Sequence, residues 1–212
     1  YLRTVLENKG IGKKSDWITK AKSYLKYDTT GKEIIRLALL LAAHDTTNNP
    51  ANRGTIMLGR EGSQNYLNID KWTSMDLKTI EHIAPQSNND GMWDIELYDT
   101  HTELYQTLGN LTLLPQNLNA SAGKKGWKEK LLYYQCVAEE NPDKLQDVEN
   151  IAQSIGVTLN PDSIALLKES RFNKHLTSIS SLTIEDSWNK DLVERRTDAI
   201  LNVIWDRVSK WL

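Results

Sequence analysis

The chain has 212 residues, of which 39% are hydrophobic and 25% charged, a composition typical of globular proteins and unlike disordered or fibrous ones. Its formal net charge of −2 gives no overall indication of a nucleic-acid or membrane binder. The single cysteine, Cys136, excludes an internal disulfide and a multi-cysteine zinc site, and it favours a reducing cytoplasm. No apolar run reaches the roughly 18 residues needed to cross a bilayer. Because the chain opens on Tyr1, we expect a fragment of a longer protein.

The first third of the sequence predicts helices and then a loop. Ser15 precedes an apolar stripe at helical spacing, which predicts a helix over 15–25. The segment 31–45 is apolar on nearly every side and predicts a buried helix. Asn, Gly and Pro concentrate in 48–62, which is typical of a loop.

The centre of the sequence has a different pattern, in which short runs of β-forming residues precede a helix. The runs and the helix cover 65–69, 78–83, 108–114 and 126–138. The last third is helical again, with Asn160 as a cap before Pro161 and a long helix over 185–212. The sequence thus predicts a mainly α protein with a small embedded strand–strand–helix unit, of α+β class.

Two central segments carry residues suited to phosphodiester chemistry. The first contains Glu81-His82 before Pro85, and the second contains Asn110 and Asn119. Histidine, with an ordinary pKa of about 6.5, is a natural general base at neutral pH. Carboxylate and amide oxygens are hard ligands suited to Mg²⁺ or Mn²⁺. Since neighbouring strand side chains point to opposite faces, Glu81 and His82 can share one site only if the strand ends or bends there.

The stretches 80–86 and 108–114, followed by Asn119, resemble the C-terminal HNH nuclease domain of GmrSD-type and phosphorothioation-sensing restriction proteins. The resemblance implies one nuclease domain over 1–212, in which a ββα-metal finger lies between helical segments. Its parts are the helical segment 1–64, the finger with its loop and helix in 65–140, and the helical segment 141–212. The resemblance also implies a cytoplasmic, prokaryotic antiphage protein without membrane attachment, whose N-terminal NTPase-like sensing domain is missing from this fragment.

Carried over residue by residue, the resemblance implies that His82 deprotonates water and that Asn110 fixes the loop presenting it. Glu81 and Asn119 are then the ligands of a single Mg²⁺ or Mn²⁺ ion at the scissile phosphate, and the expected activity is DNA nicking. Pro115 and Leu118 stand where zinc-binding fingers carry cysteines, so no structural zinc is expected.

A basic run follows the predicted metal ligand and consists of Lys124, Lys125, Lys128 and Lys130. Lysines neutralise phosphates without reading bases, so we expect this run to bind the DNA backbone with little base specificity. The alternative for the run is a solvated helix face. Two other functions stay open: a degenerate finger that only binds DNA or mediates assembly, and an RNA-cleaving HNH-like nuclease.

Overall fold

A computed structural model describes residues 2–211, apart from the side chain of Leu2, and within them it has ten α-helices and two small antiparallel sheets. The helices are α1 (Leu2–Asn8), α2 (Lys14–Tyr24), α3 (Lys32–Ala43), α4 (Ile69–Thr73), α5 (Gln116–Ala122), α6 (Trp127–Val137), α7 (Val148–Ser154), α8 (Pro161–Lys168), α9 (Thr177–Ser180) and α10 (Lys190–Val208). The strands are β1 (Thr46–Asn48), β2 (Ile56–Leu58), β3 (Thr79–His82) and β4 (Leu111–Leu114). The prediction of a mainly α protein with small β elements is confirmed.

The predicted helices with a clear start signal are found with nearly their predicted ends. The helix expected over 126–138 is α6, and α8 begins after Asn160, whose side chain accepts a hydrogen bond from the Ser163 amide at 2.7 Å. Helix α3 is present as expected, but it is not buried on every side, because Ile34 is 55% exposed. Helix α10 is shorter than predicted, since it begins at Lys190, after the cap residue Asn189, and ends at Val208.

Two local predictions are wrong. The segment 48–62 is predicted to be loop, but β2 lies within it and pairs with β1, which ends at Asn48, so that Thr46 faces Leu58 in a short hairpin. The run 65–69 was expected to be a strand, and instead it leads into α4, whose first turn is capped by the Asn68 side chain. Both errors concern segments of three to five residues, in which local propensity is a weak indicator of structure.

The sheet of β3 and β4 lies between two hydrophobic cores. Its antiparallel register places Glu81 opposite Thr112 and His82 opposite Leu111. Leu114 belongs to a core that α5, α6 and α9 share, whereas Leu111 and Leu113 belong to a core built around α3 and α10. Every β4 side chain is buried, so this strand is held from both faces.

Helix α10 packs directly onto the turn that precedes β4. The Gly109 amide donates to the Thr197 hydroxyl at 3.1 Å, and the Arg196 guanidinium donates to the Gly109 carbonyl at 2.8 Å. Arg196 also donates to the carbonyl of Gly54 in the β1–β2 loop. One buried side chain therefore connects the hairpin, the central turn and the C-terminal helix. None of the helices formed within 2–211 has the length and apolar character that a membrane span requires.

Candidate active site

The end of β3 and the loop after it are held by a wholly buried asparagine. The Asn110 side-chain oxygen accepts from the Ala84 amide and the Trp188 indole, both at 2.9 Å. Its amide group donates to the carbonyls of Ala84 and Tyr105, both at 2.8 Å. All the hydrogen-bonding capacity of this side chain is used within the protein. The structure therefore puts Asn110 in contact with the loop that follows His82, which is the placement its predicted role requires, and out of reach of a substrate.

His82 is the last residue of β3 and is almost fully buried. The side chain is 7% exposed, and its Nε2 lies 3.2 Å from the side-chain oxygen of Gln106. Because an amide oxygen only accepts, Nε2 carries the proton and Nδ1 carries the free lone pair of the neutral ring. No described residue donates a hydrogen bond to Nδ1. The pKa of His82 is lowered to about 4, chiefly by burial, so the ring is neutral at pH 7.

Tyr27 covers the histidine ring from the N-terminal part of the chain. The two rings meet edge to face with centroids 4.4 Å apart. The turn that carries Tyr27 is tied to the same loop as Gln106, because the Tyr27 amide donates to the Gln106 carbonyl at 2.9 Å. Tyr27 therefore contributes to the burial of the His82 ring.

Glu81 faces the other way and contacts α6. Its Oε1 accepts from the Lys130 ammonium at 2.7 Å and from the Tyr134 hydroxyl at 3.2 Å. Burial raises the pKa of Glu81 and lowers the pKa of Lys130, while the attraction between the two groups opposes both shifts. The strand does not bend to bring Glu81 and His82 together, and the two side chains lie on opposite faces, as the pleat requires.

The donor set does not fit the predicted ion between Glu81 and Asn119. The Glu81 carboxylate is 3% exposed and already binds a cation, the Lys130 ammonium. The Asn119 amide donates to the Thr79 hydroxyl and the Ile80 carbonyl, near the start of β3. Thr79 lies about 7 Å along the strand from Glu81 and about 10 Å from His82. Among residues 2–211, no group of three or more His, Cys, Asp or Glu side chains is placed to hold a metal ion.

The four lysines of the basic run have different environments. Lys124 and Lys128 are exposed, and Lys125 is half-buried in an ion pair with Glu129. Lys130 is fully buried, so the prediction that it contacts DNA is wrong. The helix turns it inward, because Lys130 lies on the same face of α6 as the buried Tyr134, four residues on.

Gln106 and Tyr27 are site residues that the sequence reasoning missed. Neither belongs to the motif segments, and Tyr27 is separated from His82 by most of the N-terminal helical part. Only their tertiary contacts reveal them, since a glutamine in a polar loop and a tyrosine in a turn have no distinctive spacing. The sole sequence signal was the length of the loop between His82 and Asn110. A loop of this length can fold back so that one of its residues contacts the end of β3.

The pKa of His82 predicts an acid-sensitive fold. The folded pKa is about 4 and the reference value 6.5, so the unfolded chain binds the proton first as pH falls. Stability should decline through this window by roughly 3 kcal/mol, given about 1.4 kcal/mol per pKa unit. Because burial also lowers the pKa of His175 to about 4, His82→Gln should remove about half of the pH dependence that the two histidines produce. A variant of the exposed His101 should leave it unchanged, and urea unfolding at several pH values measures the slope. Equal slopes in wild type and His82→Gln would contradict the burial of a neutral ring.

Comparisons with known proteins add one finding to this geometry. The family model for the C-terminal domain of GmrSD restriction endonucleases matches residues 29–203. The match spans β3, β4, Asn110, Asn119, α6 and most of α10, and it begins just after Tyr27. No curated protein matches the chain.

Proposed function

Because the chain belongs to the family of GmrSD restriction endonuclease C-terminal domains, we propose that it nicks DNA with His82 as the general base. Membership in this family implies an endonuclease-type domain with DNA as substrate. The observation that carries the finer proposal is the His82 ring itself. It is neutral at pH 7, its Nε2–H is bound by Gln106, and its Nδ1 lone pair is unpaired among the described residues.

In this proposal, the chain's own residues orient the His82 ring and supply the proton acceptor. Gln106 fixes the tautomer of His82 through Nε2, so that Nδ1 is the atom that takes the proton from an attacking water. Asn110 holds the loop after His82 at the backbone of Ala84, which keeps the strand end in one position. Since a general base works best with a pKa near the working pH, uncovering His82 on substrate binding would make it a stronger base.

Dependence on Mg²⁺ or Mn²⁺ is part of the proposal, although Glu81 does not fit as a ligand in this arrangement. A divalent ion would supply charge stabilisation at the scissile phosphate. Conversion of supercoiled plasmid to open circles is expected with either ion and should stop when a chelator removes it. Full cutting in the presence of the chelator would contradict the metal dependence. Linear product at the earliest times would contradict nicking.

The exposed lysines Lys124 and Lys128 are proposed to contact the DNA backbone. Replacing both with Ala should weaken binding and reduce the slope of log K against log salt by about 2, or about 0.9 per phosphate contact. Fluorescence anisotropy with a labelled duplex over a salt series measures this slope. Lys144→Ala is the control, because Lys144 is also exposed but lies outside the basic run of the sequence. An unchanged slope in the double variant would show that these lysines are part of the solvated surface and do not contact DNA.

The wider biological role is also proposed. We expect an N-terminal NTPase-like domain of the same protein to choose the target, including any phosphorothioate modification, in a cytoplasmic prokaryotic defence system. The nuclease domain then needs no base specificity of its own, which agrees with a proposed DNA contact that consists of lysines.

A further inference from the structure

The buried lysine of α6 is placed where it controls the end of β3. Lys130 is 0% exposed, and its ammonium donates to the Glu81 carboxylate and to the main-chain carbonyl of His82, both at 2.7 Å. The remaining side of the ammonium faces the Trp93 ring, whose centroid lies 5.9 Å away. All sides of this cation are therefore occupied by protein groups, and none is left for a phosphate.

A single charged group thus binds two consecutive residues of the strand. One contact is made to the side chain on the α6 face, and the other to the backbone of the residue whose side chain points away from α6. Tyr134, one helical turn after Lys130, adds a hydrogen bond to the same carboxylate oxygen. The carbonyl of His82 is therefore fixed from the face opposite to its imidazole.

We propose that Lys130 is a positioning residue for His82, and that Glu81 is the buried counterion of Lys130 and not a metal ligand. The proposal rests on the proposed function of His82 as the general base. Breaking a buried charge pair by removing one partner leaves an uncompensated charge, whereas replacing both partners restores neutrality. This difference separates the counterion role from metal binding.

The test compares Lys130→Met, Glu81→Gln and the double variant. Lys130→Met should lower both the melting temperature and the nicking rate, the latter on the order of 10- to 100-fold through loss of geometry at His82. The double variant should regain most of the melting temperature while its nicking rate stays low, because the His82 carbonyl still lacks its donor. Glu81→Gln should leave the Mg²⁺ concentration for half-maximal nicking unchanged. The matched control is Glu139→Gln with Lys144→Met, a surface pair whose charged atoms lie 3.2 Å apart. This control should change neither the melting temperature nor the nicking rate.

A second readout does not depend on activity. The imidazole NMR signals of His82 should shift in the double variant relative to wild type and should stay in place in the Glu139–Lys144 control. If wild type does not cut DNA, the proposed function fails, and the NMR shift still decides the positioning role. If Glu81→Gln raises the Mg²⁺ requirement about 10-fold or more and the double variant melts no higher than Lys130→Met, Glu81 is a metal ligand and the proposal is overturned. Unmoved His82 signals in a folded double variant would overturn it equally.

Discussion

His82→Ala is expected to remove nicking of supercoiled plasmid, with a rate loss on the order of 10²- to 10⁴-fold, the usual contribution of a general base. The reason is local: the variant lacks the Nδ1 lone pair, which is the proposed proton acceptor at the strand end. The loss should appear with saturating Mg²⁺ or Mn²⁺ and at every pH above 6.5, since the ring is already neutral there. The measurement is the conversion of supercoiled plasmid to open circles in a time course.

His101→Ala is the control for this experiment. His101 is exposed in the loop after β3, and the structure ties it to Asp99 only through its backbone amide, so its loss should leave nicking unchanged. If His82→Ala nicks as fast as wild type, the general-base proposal is wrong. If both proteins retard DNA in a gel and neither cuts it, the domain only binds DNA. Faster cleavage of RNA than of DNA in a competition assay would identify the domain as an RNA-cleaving nuclease.

Gly109→Ala should destabilise the protein by about 3 kcal/mol or more, a severe effect for one methyl group. A Cβ at this position would lie 2.1 Å from the Val193 carbonyl oxygen and 2.4 Å from the Thr197 hydroxyl. Both neighbours belong to α10, so the helix would have to move away from the turn. That movement would also lengthen the hydrogen bonds that Gly109 makes with Arg196 and Thr197.

Urea unfolding at pH 7 measures the effect. Gly31→Ala is the matched control, because Gly31 has a negative φ of −55° and its nearest neighbour to an added Cβ is a side-chain oxygen at 3.9 Å. That variant should change the unfolding free energy by less than about 1 kcal/mol. Equal stabilities of the Gly109 variant and wild type would show that α10 does not rest on the turn as described.

The helical framework could be predicted where start signals and periodicity agree. Asn160 before Pro161 marks α8, and the apolar pattern of α3 marks a core helix, because capping and burial act over a few neighbouring residues. The β1–β2 hairpin was missed since its strands have three residues each and its loop composition dominates the pattern. Such short strands exist because of their surroundings and not because of their own propensity.

The candidate site was predictable only in part, for a related reason. The motif residues Glu81, His82 and Asn110 do lie at one strand end, as expected from their order in the chain. Their partners come from elsewhere, and a charge run in the sequence does not show that Lys130 turns inward while Lys128 stays in solvent. Whether a charge is buried depends on a counterion 49 positions away, which no local pattern encodes.

The contact between Gly109 and α10 also affects the order in which the chain can reach its final state during synthesis. Gly109 and Thr197 are 88 positions apart, so the ribosome releases the central turn well before the helix on which it rests. Until α10 emerges, Arg196 cannot bind the Gly109 carbonyl next to Asn110, and the loop at His82 lacks this support. The nascent nuclease domain would therefore remain incompletely folded until translation of its mRNA is nearly finished.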